Sequence, residues 1–256
     1  MVGNHKKIKT AENIFTIIRQ ISDLDQPTCS VLSEEVDLSM SSIYNYLKTL
    51  EELGYVIEND GRYRLSLQFL QHGREVRNSY PIMRAATEPV DVLANFIDEY
   101  ISVFVKEQRR VVMVHEANSK HAVRTPSPFL GEPFHLLNTP QGRVVLAHTA
   151  ESFQQEVIAE CGPERVSIEA LHEELQSIRA EGYTIDRGRS HENIWAVAAP
   201  VMLGGELHGA LMISTVLHRF DEQRGKNELR RLILQTVKEI EHRLSRYDFD
   251  DIYENW

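Results

Sequence analysis

Hydrophobic and polar positions in the first 75 residues predict three short helices followed by a hairpin. Apolar residues recur at spacings of three and four from position 11 to 22, which predicts an amphipathic helix capped by Thr10. A shorter helix follows Pro27, and Ser39 can cap a third, Met40 to Leu53, closed by Gly54. The side chains expected to face the core are Ala11, Ile14, Phe15, Ile18, Ile21, Val31, Leu32, Val36, Ile43, Tyr46, Leu47 and Leu50.

Two β-prone runs come after the third helix. Tyr55 to Glu58 and Arg62 to Leu65 flank Asn59-Asp60-Gly61, a sequence typical of a tight hairpin turn. Three helices and a hairpin in this order are typical of a winged helix-turn-helix domain, whose second motif helix enters the major groove while the wing touches the DNA backbone. We therefore expect a DNA-binding domain over residues 1–66.

The polar face of the third helix carries groups that suit DNA recognition. Hydroxyl and amide groups can bond base edges or phosphates, and a lysine can neutralise a phosphate. The residues expected to bind DNA are Ser41, Ser42, Tyr44, Asn45 and Lys48 on this helix and Arg62 on the wing. Further basic residues are Arg64 on the wing and Lys6, Lys7 and Lys9 in an arm before the first helix. Taken singly, each is equally consistent with an ordinary solvated side chain.

The charge balance limits the kind of nucleic-acid binding to expect. The chain has 28 Lys+Arg against 38 Asp+Glu, a formal net charge of −10. An indiscriminate nucleic-acid binder would be strongly basic, whereas a sequence-specific one needs only a local basic face. The sequence therefore argues against non-specific binding and leaves a specific double-stranded operator as the expected partner.

The remainder of the chain predicts a larger α+β domain. A linking helix is expected over residues 67–80, and Pro81 opens a helix whose apolar side is Ala85, Val92, Leu93, Phe96 and Ile97. Further helices are expected at 139–147, 152–160, 167–181 and 221–247, and 126–140 has the composition of a loop. Strands are expected at 101–105, 111–114, 183–185, 195–203 and 208–216.

No familiar catalytic or metal motif is present. Cys29 and Cys161 lack metal-binding spacing, and the histidines show no H-x-x-x-H pattern, so we expect solvated or capping histidines, no cofactor and no enzyme. No apolar run is long enough to span a bilayer, and the first residues do not resemble a signal peptide. These features predict a cytoplasmic protein with no membrane partner.

Four blocks of the second domain resemble the IclR family of transcriptional regulators. They are Gly131-Glu-Pro-Phe-His135 running into Thr139-Pro-Gln-Gly142, Glu181-Gly-Tyr-Thr-Ile-Asp186, Ala198-Ala-Pro-Val201, and Gly209 to Ser214 with Arg219-Phe220. The resemblance implies a winged helix-turn-helix joined by a linking helix to a GAF-like effector-binding domain at 81–250, with a tail at 251–256. It also implies a homodimer or homotetramer.

The chain departs from the family pattern at several positions. Asn45 stands where the recognition helix commonly has Arg, and Ala196 where a Cys is common at the pocket. Arg187-Gly188-Arg189 and Thr215-Val216 also differ from the usual residues. Base preference and ligand identity therefore cannot be transferred from the family.

The resemblance points to an effector site around the start of the helix at residue 139. A helix N-terminus suits a carboxylate or phosphate, so a small organic acid is the expected effector, although an unliganded helix cap would fit equally. The residues expected at this site are Gly131, Thr139, Gln141, Gly142, Asp186, Arg189, Ala196 and Ser214. The leading function is a ligand-responsive transcriptional regulator. The alternatives are a GAF-like sensory or protein-interaction module without specific DNA binding, and an enzyme with a site lacking known motifs.

Overall fold

The computed structural model describes residues 7–119, 129–161, 167–217 and 224–246. The chain divides into two compact units, Met1–Val76 and Arg77–Trp256. Of the residues named above, Lys6, Arg219, Phe220 and the tail at 251–256 lie outside the described residues, as do two of the histidines, His121 and His218.

The first unit has the predicted order of helices and hairpin. Its elements are α1 (Lys9–Asp23), α2 (Cys29–Val36), α3 (Met40–Glu52), β1 (Val56–Asn59), β2 (Arg62–Leu65) and α4 (Gln68–Asn78), the last ending two residues beyond the unit boundary. Its buried core consists of Ile17, Ile21, Leu32, Ile43, Leu47, Leu50, Val56 and Tyr63. The core joins α1, α2, α3 and the hairpin, which fixes the outward face of α3.

The first helix differs from the prediction in its start and its buried face. It begins at Lys9 after Ile8, which makes no side-chain capping bond, so the Thr10 cap was wrong. Asn13, Ile17 and Ile21 are buried at spacings of four, whereas Phe15 is 62% exposed. The amide of Asn13 donates to the hydroxyl of Tyr46 on α3 (3.1 Å). This hydrogen bond satisfies the buried amide of Asn13, a residue that its polarity alone would place on the surface.

The predicted capping and turn chemistry of α3 and the hairpin is confirmed. The Ser39 hydroxyl accepts from the Ser42 N–H (3.3 Å), and Gly54 closes the helix with a φ of +82°. Asp60 and Gly61 have φ values of +51° and +75° in the turn between β1 and β2. Two successive positive φ angles match the twist of a two-residue hairpin, which explains the Asp-Gly sequence.

The second unit contains the larger sheet. Its elements are α5 (Pro81–Ile97), β3 (Tyr100–Glu107), β4 (Arg110–Ala117), β5 (Pro133–His135), α6 (Pro140–Ala147), α7 (Glu151–Cys161), α8 (Ile168–Glu181), β6 (Thr184–Arg187), β7 (Ile194–Leu203), β8 (Glu206–Val216), a π-helical segment (Arg224–Leu229) and α9 (Arg230–Leu244). The described strands form an antiparallel sheet in the order β5-β4-β3-β8-β7-β6.

The sheet is covered on both faces. Helices α5 and α9 pack on one face against side chains such as Ile101, Val103 and Val197. Helices α6, α7 and α8 contribute to the cluster on the other face, together with Phe104 and Ala198. Alternate residues of one strand therefore enter two separate cores, as the period of two in a β-strand requires. The α+β prediction is confirmed.

Three details of the second unit were not predicted correctly. The three-residue strand β5 lies inside the segment expected to be a loop. On α5, Val92 and Phe96 are 63% and 72% exposed, because the buried stripe follows Ala86, Val90 and Ile97 and leaves them outside it. The last helix is interrupted at its described start by a π-helical segment.

Gly209 on β8 allows two elements to approach closely. A Cβ there would lie 2.5 Å from the Phe104 carbonyl oxygen and 2.6 Å from Ile82 Cδ1. We expect Gly209→Ala to lower the free energy of unfolding by about 1–3 kcal/mol. In Gly73→Ala, the control, the new methyl meets nothing within 4 Å on α4, so stability should rise by about 0.5–1 kcal/mol. Urea unfolding followed by circular dichroism measures both; a Gly209→Ala protein as stable as wild type would contradict the contact.

Candidate functional site

The outward face of α3 presents the residues expected to bind DNA. Ser41, Tyr44 and Asn45 are exposed, and Tyr44 retains half of its surface. The hydroxyls of Ser41 and Ser42 lie 3.2 and 2.8 Å from Ser39 Oγ, so they belong to the capping group at the start of α3. This arrangement leaves Tyr44 and Asn45 as the most outward polar groups of the helix, while the serines lie at its N-terminal end.

Lys48 interacts within α3, which the sequence analysis did not anticipate. Its Nζ lies 2.7 Å from Glu51 Oε2, one helical turn further on, and 5.9 Å from the centroid of the Tyr44 ring. The hydrogen bond that Lys48 donates to the Glu51 carboxylate raises the pKa of its amine, so the amine stays charged. A DNA phosphate approaching Lys48 must compete with this carboxylate. Glu51 therefore belongs to the candidate interface as a residue that weakens it.

The wing and the N-terminal arm are also held by internal contacts. Arg62 donates from Nη1 to the Gln26 carbonyl (3.1 Å), which ties the start of β2 to the loop before α2. Lys7 and Lys9 lie 3.7 and 3.9 Å from the carboxylate of Glu12. All three charges in the Glu12 cluster are exposed, so these ion pairs are weak and phosphates can displace them.

The second candidate site lies on the face of the sheet that α6 covers. Strand pairing places Asp186, Ala196, Ser214 and Tyr100 in one row across four neighbouring strands. Directly opposed residues of antiparallel strands point to the same face, so this row is continuous. The next row on the same face consists of Thr184, Ala198, Met212, Ser102 and Glu116. Three of the expected effector residues are thus brought together by sheet register alone.

Within these rows, Tyr100 and Ser102 are buried polar residues that the sequence analysis missed. The hydroxyl of Tyr100 donates to the carboxylate of Glu116 on β4. Ser102 is fully buried, and its hydroxyl has no partner within the described chain. An unsatisfied buried hydroxyl costs stability unless a ligand or water completes it. The alternation of Tyr100 and Ser102 with apolar residues in β3 was the signal that could have revealed them.

A buried arginine fixes α6 to the end of the first row. The Arg143 side chain is 1% exposed, and its Nη2 donates to Asp186 Oδ2 (2.9 Å) while Nη1 donates to the Leu137 carbonyl (3.3 Å). Its Nε lies 2.7 Å from Glu174 Oε1 on α8, a close ion pair rather than a well-aligned hydrogen bond. Arg143 therefore joins α6, α8, β6 and the segment before α6.

The carboxylate of Asp186 is occupied by groups of the chain itself. Besides Arg143, it accepts from the Arg189 N–H (2.9 Å) and the Ser190 N–H (3.2 Å), and Ser190 Oγ lies 2.7 Å away. Burial raises the pKa of Asp186, but hydrogen bonds from Ser190 and then Arg143 outweigh it and hold the pKa below its usual range. The Arg189 side chain is 64% exposed and pairs with Glu174 (3.0 Å). Asp186 and Arg189 thus hold β6 and the residues after it against α6 and α8.

The start of α6 is capped as predicted, and its first turn is tightly packed. The Thr139 hydroxyl accepts from the Gly142 N–H (3.2 Å), and Pro140 has no N–H, so at most the Gln141 N–H among residues 140–142 can face a ligand. A Cβ on Gly142 would lie 2.5 Å from the Leu136 carbonyl oxygen. Gly142 is therefore required by the close approach of residues 135–136. The buried Gln141 side chain has an Oε1 without a partner in the described chain.

Gly131 lies apart from the other expected effector residues. It is exposed, has a φ of +86°, and donates its N–H to the Met113 carbonyl (2.8 Å) in the turn before β5. This position favours glycine because of its left-handed backbone conformation. No group of three or more metal-ligating side chains occurs among the described residues, and none of the described helices is both long and apolar enough to cross a membrane.

Comparisons with known proteins match both units. Residues 10–60 match the IclR helix-turn-helix domain, and residues 75–242 match the domain described as bacterial transcriptional regulator IclR C-terminal. The "Probable HTH-type transcriptional regulator ArcR" of Halobacterium salinarum is 26% identical over 252 residues, which cover 94% of this chain and 96% of that protein.

Two solved structures show the same fold over nearly the whole chain. The IclR of Thermotoga maritima has a TM-score of 0.78 at 23% identity, covering 93% of this chain and 99% of the other. An IclR homolog from Microbacterium hydrocarbonoxydans, complexed with 4-hydroxybenzoate, has a TM-score of 0.75 at 18% identity, covering 91% of this chain and 100% of the other. At these identities the structures establish the fold, and the domain matches establish the relationship.

The Arg143–Asp186 pair makes a pH-dependent contribution to stability. Because the folded pKa of Asp186 is lowered, its contribution is complete above the ordinary carboxyl pKa and is lost as the pH falls through the folded value. We expect Asp186→Asn to lower the stability of the second unit by about 3 kcal/mol at pH 7 and by progressively less below about pH 4.

Thermal unfolding at a series of pH values measures this dependence. Asp98→Asn is the matched control, because it removes the same charge from an exposed position at the end of α5. A loss of stability in Asp186→Asn that is equal at pH 7 and pH 3, or a similar loss in Asp98→Asn, would contradict the role of the pair.

Proposed function

The chain belongs to the IclR family of transcriptional regulators, and we propose that a small organic acid bound in its second unit changes how its first unit binds operator DNA. The family relationship makes the chain a helix-turn-helix transcriptional regulator. The observation that supports a ligand site is the buried hydroxyl of Ser102, which has no partner in the described chain and lies on the sheet face covered by α6, next to Glu116 in the strand pairing. The regulator acts on cytoplasmic DNA and is not an enzyme.

The proposed DNA contacts divide by chemistry. Tyr44 and Asn45 are the outward polar groups of α3 and read base edges in the major groove. Lys48 and Arg62 contact phosphates, and Ser41 and Ser42 position the N-terminal end of the helix against the backbone. The uncharged base-reading groups suit a unit without a strongly basic surface. The DNA-binding surface is therefore local, and the acidic remainder of the chain suppresses non-specific binding.

Operator recognition requires two copies of the chain in this proposal. A homodimer presents two α3 helices to half-sites about 34 Å apart or a multiple of that spacing. Exposed apolar side chains on and beside α4 support self-association, namely Leu67, Leu70 and Val76. Their exposure in a single chain costs free energy that a second copy recovers by burying them. Both homodimer and homotetramer remain consistent with this surface.

The proposed effector is small and carries both a carboxylate and a hydrogen-bonding group. Gln141, Ser102 and Ser214 supply polar contacts from α6 and the sheet, and Ala196 is the small side chain paired with Ser214 across β7 and β8. Thr139 and Gly142 shape the first turn of α6. Asp186 and Arg189 fix the end of β6 beside that helix. Gly131 forms the turn before β5 at the sheet edge. The 4-hydroxybenzoate complex of the Microbacterium homolog supports an acid of this size.

Variants of α3 should separate base reading from phosphate binding. After selection of preferred duplexes from a random pool, we expect Asn45→Ala to change the selected sequence. Lys48→Ala should weaken binding to all duplexes and lower the salt slope by about 1, since it loses one phosphate contact. Fluorescence anisotropy across a salt series measures both effects. The same change of sequence preference in both variants would contradict this division.

Glu51→Gln should increase the affinity for DNA in the same assay. It removes the carboxylate 2.7 Å from Lys48, so it should strengthen DNA binding more than Glu52→Gln, which makes the same charge change at a neighbouring exposed position. Equal gains in the two variants would show that only overall charge matters and that Lys48 does not contact phosphate.

Effector binding can be tested with two matched hydroxyl deletions. Ser102→Ala removes a buried unpaired hydroxyl from the α6 face of the sheet, and Thr215→Val removes one from the opposite face. Without ligand, both variants should be at least as stable as wild type, because each loses an unsatisfied polar group. An organic acid at 100 times its Kd should stabilise wild type by about 2.7 kcal/mol.

A thermal-shift screen of organic acids, including 4-hydroxybenzoate, measures this stabilisation. The shift should shrink in Ser102→Ala and persist in Thr215→Val. If both variants respond as wild type does, the ligand binds elsewhere. If none of the acids stabilises wild type, the organic-acid class is wrong.

A further inference from the structure

A thiol and an imidazole meet at the edge of the large sheet, just before the first turn of α6. Cys161, the last residue of α7, places its Sγ 2.8 Å from Nε2 of His135, which ends β5. Both side chains are half-buried. A groove lined by Glu107, Gln108, Arg109, Arg110 and Glu160 includes the residue before Cys161 and the cross-strand neighbour of His135. We propose that Cys161 is a reactive thiol, activated by His135 and oxidised by hydroperoxides that enter through this groove.

The hydrogen bonds of His135 assign its proton to the nitrogen that faces the sulfur. The Leu137 N–H donates to His135 Nδ1 (3.3 Å), so a neutral imidazole carries its hydrogen on Nε2. Burial, and then the Arg110 cation, hold the pKa of His135 below its usual range, which keeps the ring neutral at physiological pH. The Nε2–H therefore donates to Cys161 Sγ. A donor to sulfur favours the thiolate, which is the nucleophilic form.

Two arginines and three carboxylates surround the pair. Arg110 is the direct cross-strand neighbour of His135, and its Nη1 is buried without a partner in the described chain. Glu107 pairs with Arg110 across β3 and β4, and Glu156 and Glu160 on α7 lie 2.8 and 3.6 Å from the guanidinium of Arg109, which offsets one of their two charges. Activation of the sulfur therefore depends on its contact with His135, and Arg110 is the cation nearest to that imidazole in the strand pairing.

The chemistry of the step is a two-electron oxidation. The Cys161 thiolate attacks one oxygen of hydrogen peroxide, an S–O bond forms, and the O–O bond breaks. The thiol gives its proton to solvent when the thiolate forms, and the departing hydroxide takes a proton back from solvent and leaves as water. The sulfur is oxidised to a sulfenic acid, and the peroxide is reduced.

Oxidation at this position should reach the start of α6. The His135 carbonyl accepts from the Thr139 hydroxyl that caps α6 (3.2 Å), and Gly142 packs directly on residues 135–136. An oxygen placed between Cys161 Sγ and His135 Nε2 does not fit within their 2.8 Å separation, so we expect oxidation to displace His135. The displacement is passed to the cap of α6 because the same residue supplies both contacts.

Cys29 provides an internal control for the reactivity of Cys161. Its Sγ lies 3.7 Å from the Met40 carbonyl, and burial raises the pKa of this thiol. In the full-length wild-type chain at pH 7, we expect peroxide oxidation and iodoacetamide alkylation at Cys161 to be about tenfold faster than at Cys29. Peptide mass spectrometry with a sulfenic-acid trap measures both positions in one sample. Equal or slower reaction at Cys161 overturns the proposal.

Two further measurements separate activation from coupling. His135→Gln should slow the reaction at Cys161 and leave that at Cys29 unchanged; an unchanged Cys161 rate overturns the role of His135. Hydrogen exchange in residues 136–147 should accelerate after peroxide treatment of wild type but not of Cys161→Ser. Unchanged exchange in oxidised wild type overturns the coupling to α6. Neither readout involves DNA or an effector, so these results are independent of the proposed regulatory function.

Discussion

The second unit depends on one buried cation. Arg143 belongs to α6, a helix whose residues are all buried, and its guanidinium contacts Asp186 on β6, Glu174 on α8 and the Leu137 carbonyl. A buried guanidinium is tolerated only when carboxylates and carbonyls surround it, and removing one partner from such a pair typically costs about 3–5 kcal/mol. Because the partners come from three separate segments, the position of α6 on the sheet is fixed by electrostatics as well as by apolar packing.

This constraint explains why the proposed effector site and the thiol pair are related. Helix α6 covers the sheet face that carries the proposed effector site, and its capping residue and first turn contact His135 and Leu136 at the sheet edge. A ligand or an oxidised sulfur that displaces this turn must also strain the Arg143 contacts. Two stimuli can therefore act on one element. Effects of this kind are usually worth about 1–3 kcal/mol in the affinity of a second site, enough for a several-fold to hundredfold change in DNA binding.

Most of the local chemistry was predictable from the sequence, although the Thr10 cap was wrong, and long-range polar pairing was not predictable. The Ser39 cap, the Asp60-Gly61 turn and the Thr139 cap each depend on neighbouring residues, and all were confirmed. Arg143 instead resembles a surface residue of a short helix, because its partner Asp186 lies 43 positions away.

The errors on α1 and α5 have a related cause. Asn13 is buried because Tyr46 accepts its hydrogen bond, and Phe96 is exposed although it is apolar. A hydrophobicity pattern does not show that Asn13 has a polar partner, nor that Phe96 lies on a surface that is exposed in a single chain. At the candidate site, Asp186, Ala196 and Ser214 were expected from the sequence, and strand pairing places them in one row. Tyr100 and Ser102 on the same face were not expected and were found only from the strand pairing.

We propose that a local surface on α3 binds specific DNA although the chain is acidic. Fluorescence anisotropy of the full-length chain tests it most directly, with duplex DNA from the upstream region of its own gene, a scrambled duplex of equal length, and salt varied from low to molar. We predict tighter binding to the native duplex at moderate salt. No binding to either duplex at any salt concentration would contradict the claim.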